Sequence, residues 1–271
     1  MKKVFSISPS GNAENELLVI RLGNCHFSFA AAGSEANSLQ QLGYYTSASG
    51  FDETSLTQVF QHEESLRHHY RQVRIAFDYP YSILVPSALA SGFPARQAIE
   101  LQYGLQISSV YEMEPVESWQ VSNQYSIPAG IREWIRSHFP DAKLTHGYTA
   151  DLCRIESTDF EGGVALDFRS EEFTLLASRG NKLLLVQTHT YESPADVLYY
   201  LFRAIRQLGF SQEEVRISLS GLIEEESSLY RELYQYFIHL RFRNAGWNTE
   251  GNEEKLPAHF FTSLFDLATC G

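Results

Sequence analysis

Between Val164 and Leu219 the chain spells three short apolar strands, one long amphipathic helix and a fourth strand, an order that very few folds accommodate. Val164–Phe168, Glu172–Ala177 and Leu183–Thr188 are separated only by tight turns, the second at Arg179-Gly180-Asn181. Three strands so joined pair as an antiparallel meander. Ser193-Pro194 then opens a helix in which Val197, Leu198, Leu201, Phe202, Ile205 and Leu208 recur at helical spacing, and Gly209 ends it. A helix of that length carries the chain back across the sheet, so Val215–Leu219 is predicted to lie parallel to the first strand.

The first half repeats this order. Leu17–Ile20 and Phe27–Phe29 read as a hairpin about Leu22-Gly23-Asn24-Cys25, Gln41–Ala48 as a third strand, and Val73–Phe77 as the closing strand. Between them a helix begins at Asp52 or Thr54, with Leu56, Val59, Phe60, Leu66 and Tyr70 on one stripe. The closing strands share the spelling Val-Arg-Ile, at 73–75 and 215–217. Glu161-Gly162-Gly163 is the strongest boundary signal, and it divides the chain into lobes of residues 1–160 and 161–271.

Elsewhere, residues 1–15 read as an edge segment and Tyr81–Val85 as extended. Pro94–Tyr103 and Pro128–Phe139 read as helices, and Ser109–Tyr125 as extended with a break at Pro115. Lys143–Ile155 is a strand, or a strand leading into a helix. Glu224–Phe237 is a helix, His239–Phe242 is strand-like, Asn248–Glu254 is a polar loop and Pro257–Ala268 is a last helix.

This element order resembles two ribonuclease-H-like lobes in one chain, the architecture of the actin-like ATPase superfamily. Within it the chain is similar to an uncharacterised bacterial domain-of-unknown-function family, number 3822. The resemblance implies an α/β fold of mixed sheets flanked by helices, with a phosphate-binding turn between the first two strands of each lobe. In such a turn a glycine lets backbone N–H groups approach phosphate oxygens, and a carboxylate positions magnesium or water. The first lobe offers Arg21-Leu22-Gly23-Asn24, which has the glycine but an arginine where the carboxylate belongs. The second offers Asp167-Phe168-Arg169-Ser170, which has the carboxylate but a phenylalanine in place of the glycine. Ser220-Gly221-Leu222 keeps one of the two glycines of the adenosine motif. Gly23, Asp167 and Gly221 are therefore the degenerate cofactor-binding positions. No catalytic residue, metal ligand or cofactor is expected, and Arg21 is left to bind an anion or to pair with Asp167.

Other chemistry is poorly represented. A ribonuclease-H site needs several carboxylates around two metals, and Ser220 stands where one should follow the fourth strand. His62, Glu63, His68 and His69 lack the four-residue spacing of a zinc helix. A net charge of −12 disfavours direct nucleic-acid binding. The only basic runs are Arg67–Arg71 and Arg241–Arg243. Cys25, Cys153 and Cys270 form no paired motif and suit a reducing compartment. With no apolar run long enough to span a bilayer and no signal-peptide core, the expected location is the cytoplasm. The reading that follows is a non-catalytic binding or scaffold protein with a protein partner. Tyr199, Tyr200, Tyr234 and Tyr236 are candidates for a partner surface or cleft. Its rivals are a divergent ATP-dependent phosphotransferase using Asp167, and an accessory factor in RNA metabolism acting through a protein partner.

Overall fold

The computed structural model describes residues 1–7, 16–33, 38–104, 108–154, 158–247 and 256–270. The polar loop expected at Asn248–Glu254 and most of the segment after Ile7 lie outside them. The chain clusters into two compact units. One comprises Met1–Arg154, Trp247–Glu254 and Asp266–Gly271, and the other Ile155–Gly246 and Lys255–Phe265.

The first unit runs β1 (Lys2–Ile7), β2 (Leu17–Leu22), β3 (His26–Ala32), β4 (Leu39–Thr46), α1 (Glu53–His62), β5 (Gln72–Phe77), β6 (Ser82–Pro86), α2 (Ser87–Ala90), α3 (Ala95–Tyr103), β7 (Ser109–Val116), β8 (Val121–Pro128), α4 (Ala129–His138), β9 (Lys143–His146) and α5 (Gly147–Arg154). Its main sheet has the order β1-β4-β3-β2-β5-β9. The β2–β3–β4 meander is antiparallel, whereas β5 joins β2, and β9 joins β5, in parallel. Every residue of β2 is buried, as a near-continuous apolar central strand covered on both faces requires. A separate three-stranded sheet, β6-β8-β7, is inserted between β5 and α4. The repeat pattern gave no sign that these strands form a sheet of their own.

Two local expectations need correction, and one left open is decided. The apolar stripe reaches Tyr70, but α1 stops at His62. Glu63 turns extended there, and its carboxylate accepts hydrogen bonds from the Tyr45 hydroxyl and from Lys3 Nζ. Leu66 is still buried, from a short 3-10 turn at Glu64–Arg67. Pro115 does not break the extended segment, because β7 is an edge strand where the missing N–H costs no ladder bond. The break comes at a 3-10 turn over Glu117–Trp119. Lys143–Ile155 resolves into β9 followed by α5.

The second unit contains β10 (Thr158–Phe168), β11 (Glu172–Gly180), β12 (Lys182–Thr190), α6 (Pro194–Leu208), β13 (Arg216–Gly221), α7 (Ser228–Tyr236) and β14 (Leu240–Phe242). A 3-10 turn at Ala258–Phe261 leads into α8 (Thr262–Thr269). The sheet order is β12-β11-β10-β13-β14, with the first three strands antiparallel and β13 parallel to β10. Glu161-Gly162-Gly163 lies inside β10, at a register shift between Thr158 and Gly163. The α6 N-terminus is fixed by Asp196, whose carboxylate accepts the backbone N–H groups of Glu192 and Ser193. Val197, Leu201, Ala204 and Ile205 are its buried face, while Leu198, Phe202 and Leu208 flank the core half-buried. α7 starts at Ser228 rather than Glu224, because Ser227 accepts the Tyr230 N–H and caps it there. Among the described residues no helix is long and apolar enough to cross a membrane.

Candidate functional site

In the first unit, the end of β2 is closed by ionic contacts. Arg21 is 1% exposed. Its Nε donates to Asp78 Oδ2 at 2.9 Å and its Nη2 to Asp78 Oδ1 at 2.6 Å, while Nη1 donates to Asp151 Oδ1 at 2.6 Å. His26 Nε2 lies 2.9 Å from Asp78 Oδ2. Three elements position these groups. Arg21 sits on β2, Asp78 directly follows β5 with its N–H on Leu22 O, and Asp151 lies on α5. Burial works against the charged guanidinium, but Asp151 and Asp78 outweigh it and hold its pKa well above the ordinary value. Buried charge of this kind persists only when it is paired and hydrogen-bonded, as here.

Two glycines make room for this cluster. A Cβ on Gly147, the first residue of α5, would stand 1.9 Å from Asp78 Oδ1 and 2.8 Å from Arg21 Nη2. A Cβ on Gly23 would stand 2.3 Å from the His26 ring. The glycine that the resemblance assigns to phosphate approach thus accommodates an imidazole that binds Asp78.

The second unit has a cluster of similar composition. Asp167 accepts the Ser220 hydroxyl at 2.8 Å and lies 3.8 Å from Arg169 Nη2. Arg169, 5% exposed, also donates to Glu172 at 3.4 Å and to Thr174 Oγ1 at 3.1 Å. Phe168 is a core residue, stacked on Phe173 at 5.6 Å. Gly221 has φ +78°, and a Cβ there would meet Phe168 O at 2.1 Å. Its close approach is to the β10 backbone.

Asp167 and Gly221 therefore come together across β10 and β13, while Gly23 belongs to the other unit. Arg21 is held within its own unit by Asp78 and Asp151. Strand register shows how the two turns correspond. Leu22 pairs with Phe77 as Phe168 pairs with Gly221, and Asp78 N bonds Leu22 O as Leu222 N bonds Phe168 O. Arg21 thus stands at the position of Asp167, with opposite charge. Asp78, Asp151, His26 and the pairing role of Arg169 escaped the sequence reading. The available signal for Asp78 was a carboxylate immediately after the repeat's closing strand. Among the described residues no three His, Cys, Asp or Glu side chains are placed to hold a metal ion.

Comparison with known proteins agrees with this architecture. The family model described as protein of unknown function (DUF3822) matches residues 7–240. No curated protein matches the chain. Among solved structures, a Bacteroides thetaiotaomicron protein with an actin-like ATPase fold and unknown function superimposes with a TM-score of 0.76 at 18% identity, covering 96% of this chain and 97% of that one. The PilM–PilN type IV pilus biogenesis complex gives a TM-score of 0.61 at 17% identity, covering 93% and 97%. The ethanolamine utilization protein EutJ from Carboxydothermus hydrogenoformans gives 0.51 at 9% identity, covering 98% and 92%. These likenesses establish the actin-like fold.

Proposed function

The chain belongs to the DUF3822 family of proteins of unknown function, and on that footing we propose that it is a non-catalytic binding protein of actin-like fold, acting in the cytoplasm through a protein partner. The observation that carries this reading is the burial of Arg21 between Asp78 and Asp151. In the first unit's turn, a guanidinium occupies the position of the magnesium-orienting carboxylate, and the two nearby carboxylates are committed to that guanidinium. The second turn keeps Asp167, but its charge faces Arg169 and its neighbour Phe168 is locked in the core. Gly23, Asp167 and Gly221 are in this reading remnants of a nucleotide site, each reassigned to packing or ion pairing.

A partner-binding role is supported by the fold relative solved as a PilM–PilN complex. The net charge of −12 favours a protein over a nucleic acid. The second unit offers exposed rings at Tyr199, Tyr234 and Tyr236 together with Ile238, residue types suited to an interface. The test has two arms. Affinity capture with wild type and with Tyr199→Glu/Tyr234→Glu should recover a specific protein with the first bait and lose it with the second. A thermal shift with magnesium-ATP should be absent, whereas a ligand at a hundredfold over its Kd would add roughly 2.7 kcal/mol. An ATP-dependent shift would favour the phosphotransferase reading.

A further inference from the structure

β12 closes one side of the second unit's sheet, and among the described residues it pairs only with β11. A strand in that position offers a row of backbone N–H and C=O groups to a further strand unless something blocks it. The other edge strands among the described residues each carry a block. β1 has Lys2, Lys3 and a register shift, β7 has Glu112, Glu114 and Pro115, and β6 ends in Pro86. β9 and β14 are four and three residues long and include Lys143 and Arg241. β12 is nine residues long, with no proline and no Asp, Glu, Lys or Arg after Lys182. From Leu185 to Thr190 its register with β11 is unbroken, so this stretch keeps the regular pleat that a second pairing needs. α6 already covers one face of it, with Leu185 packed on the core and His189 stacked on Tyr200 at 3.9 Å. The strand is thus held extended before any partner arrives.

We propose that β12 is a self-pairing edge, and that a second copy of this chain adds its own β12 to it in antiparallel, two-fold fashion. The charges at the two ends of the strand select this occupant. Lys182 opens β12 and Glu192 follows its last residue, Thr190, by two positions, and both are exposed. In the register centred on Gln187, Val186 lies opposite Thr188 of the second copy and Leu185 opposite His189, while the two Gln187 amides meet and can share a hydrogen bond. The same register brings Lys182 to Glu192 of the second copy. Because a two-fold interface is isologous, that ion pair forms at both ends of the ribbon. A parallel partner would set Lys182 beside Lys182. Between the two ends no like charges oppose each other, so a chain of net charge −12 meets its own copy along an uncharged segment.

The test is sedimentation equilibrium of the full chain at near-physiological salt, with wild type, Lys182→Glu, Glu192→Lys and the double variant. Wild type should form a dimer. Each single change replaces two opposite-charge pairs with two like-charge pairs, and should raise the dimer Kd at least about tenfold. The double variant should return to the wild-type Kd, and so should an equimolar mixture of the two single variants, because both arrangements restore opposite charges at both ends. Recovery on mixing also separates a lost contact from a misfolded chain. A wild type that stays monomeric up to about millimolar concentration would overturn the proposal. So would single variants that dimerise as tightly as wild type, or a mixture that does not recover.

Discussion

Arg21 grips Asp78 side-on, with Nε and Nη2 on the two carboxylate oxygens at 2.9 and 2.6 Å, inside a pair whose side chains are each 1% exposed. Fork-to-carboxylate pairing of this kind is among the stronger charge-assisted arrangements, and it fixes geometry as well as charge. Its place at the end of β2 puts a guanidinium where the resemblance implies a carboxylate.

Removing one partner leaves the other charged and buried. Asp78→Ala is therefore expected to destabilise the protein by about 3–5 kcal/mol. The triple change Arg21→Met, Asp78→Asn, Asp151→Asn should cost less than Asp78→Ala alone, because no uncompensated charge remains. Urea denaturation of both variants checks the order.

Gly221→Ala should destabilise by more than about 1 kcal/mol, because alanine is strained at positive φ and its Cβ would strike the Phe168 carbonyl. Equilibrium unfolding at constant pH measures it. An unchanged midpoint would show that β13 can move away from β10 at no cost.

On α6, Leu201→Ala should cost about 2–5 kcal/mol, since the side chain is fully buried. Phe202→Ala should cost clearly less. Its ring is half-buried and packs on Tyr236 and Phe237, each at 5.4 Å. Denaturant midpoints of the two variants rank them.

His189 and His259 both have lowered pKa values. Burial is the main cause for each, with Arg203 adding to it at His189. A histidine depressed in the folded state takes up its proton more readily once unfolded. Its contribution is thus present above the unfolded value of roughly 6.5 and is lost as pH falls through that value toward the folded pKa. Stability should decline over this acid window. His189→Phe keeps a ring stacked on Tyr200, which lies 3.9 Å from the native imidazole, and should flatten part of the decline in pH-dependent thermal unfolding.

The meander, the crossover and both closing strands were legible in the sequence because apolar alternation, tight turns and one long helix leave few alternatives. The shared Val-Arg-Ile spelling was a misleading guide to the repeat's alignment. Strand register sets Phe77 against Gly221, so Val73-Arg74-Ile75 corresponds to Ile217-Ser218-Leu219, two residues out of step with the matched string. The site was half legible. Arg21 was recognised as a charge in the wrong place, but its partners come from β5 and α5, 57 and 130 residues away. Only the parallel pairing of β2 with β5 and of β5 with β9 brings them together. Glu63, noted in the sequence only for its spacing from nearby histidines, is likewise buried, against Tyr45 and Lys3 from neighbouring strands.

Calorimetric titration of ATP, with and without magnesium, into wild type and Asp167→Asn tests the central claim most directly. If both turns have been turned over to internal ion pairs, neither protein binds ATP saturably up to about millimolar concentration, and magnesium makes no difference. Micromolar, magnesium-dependent binding by wild type that Asp167→Asn loses would contradict the account and make Asp167 a working ligand of a nucleotide site.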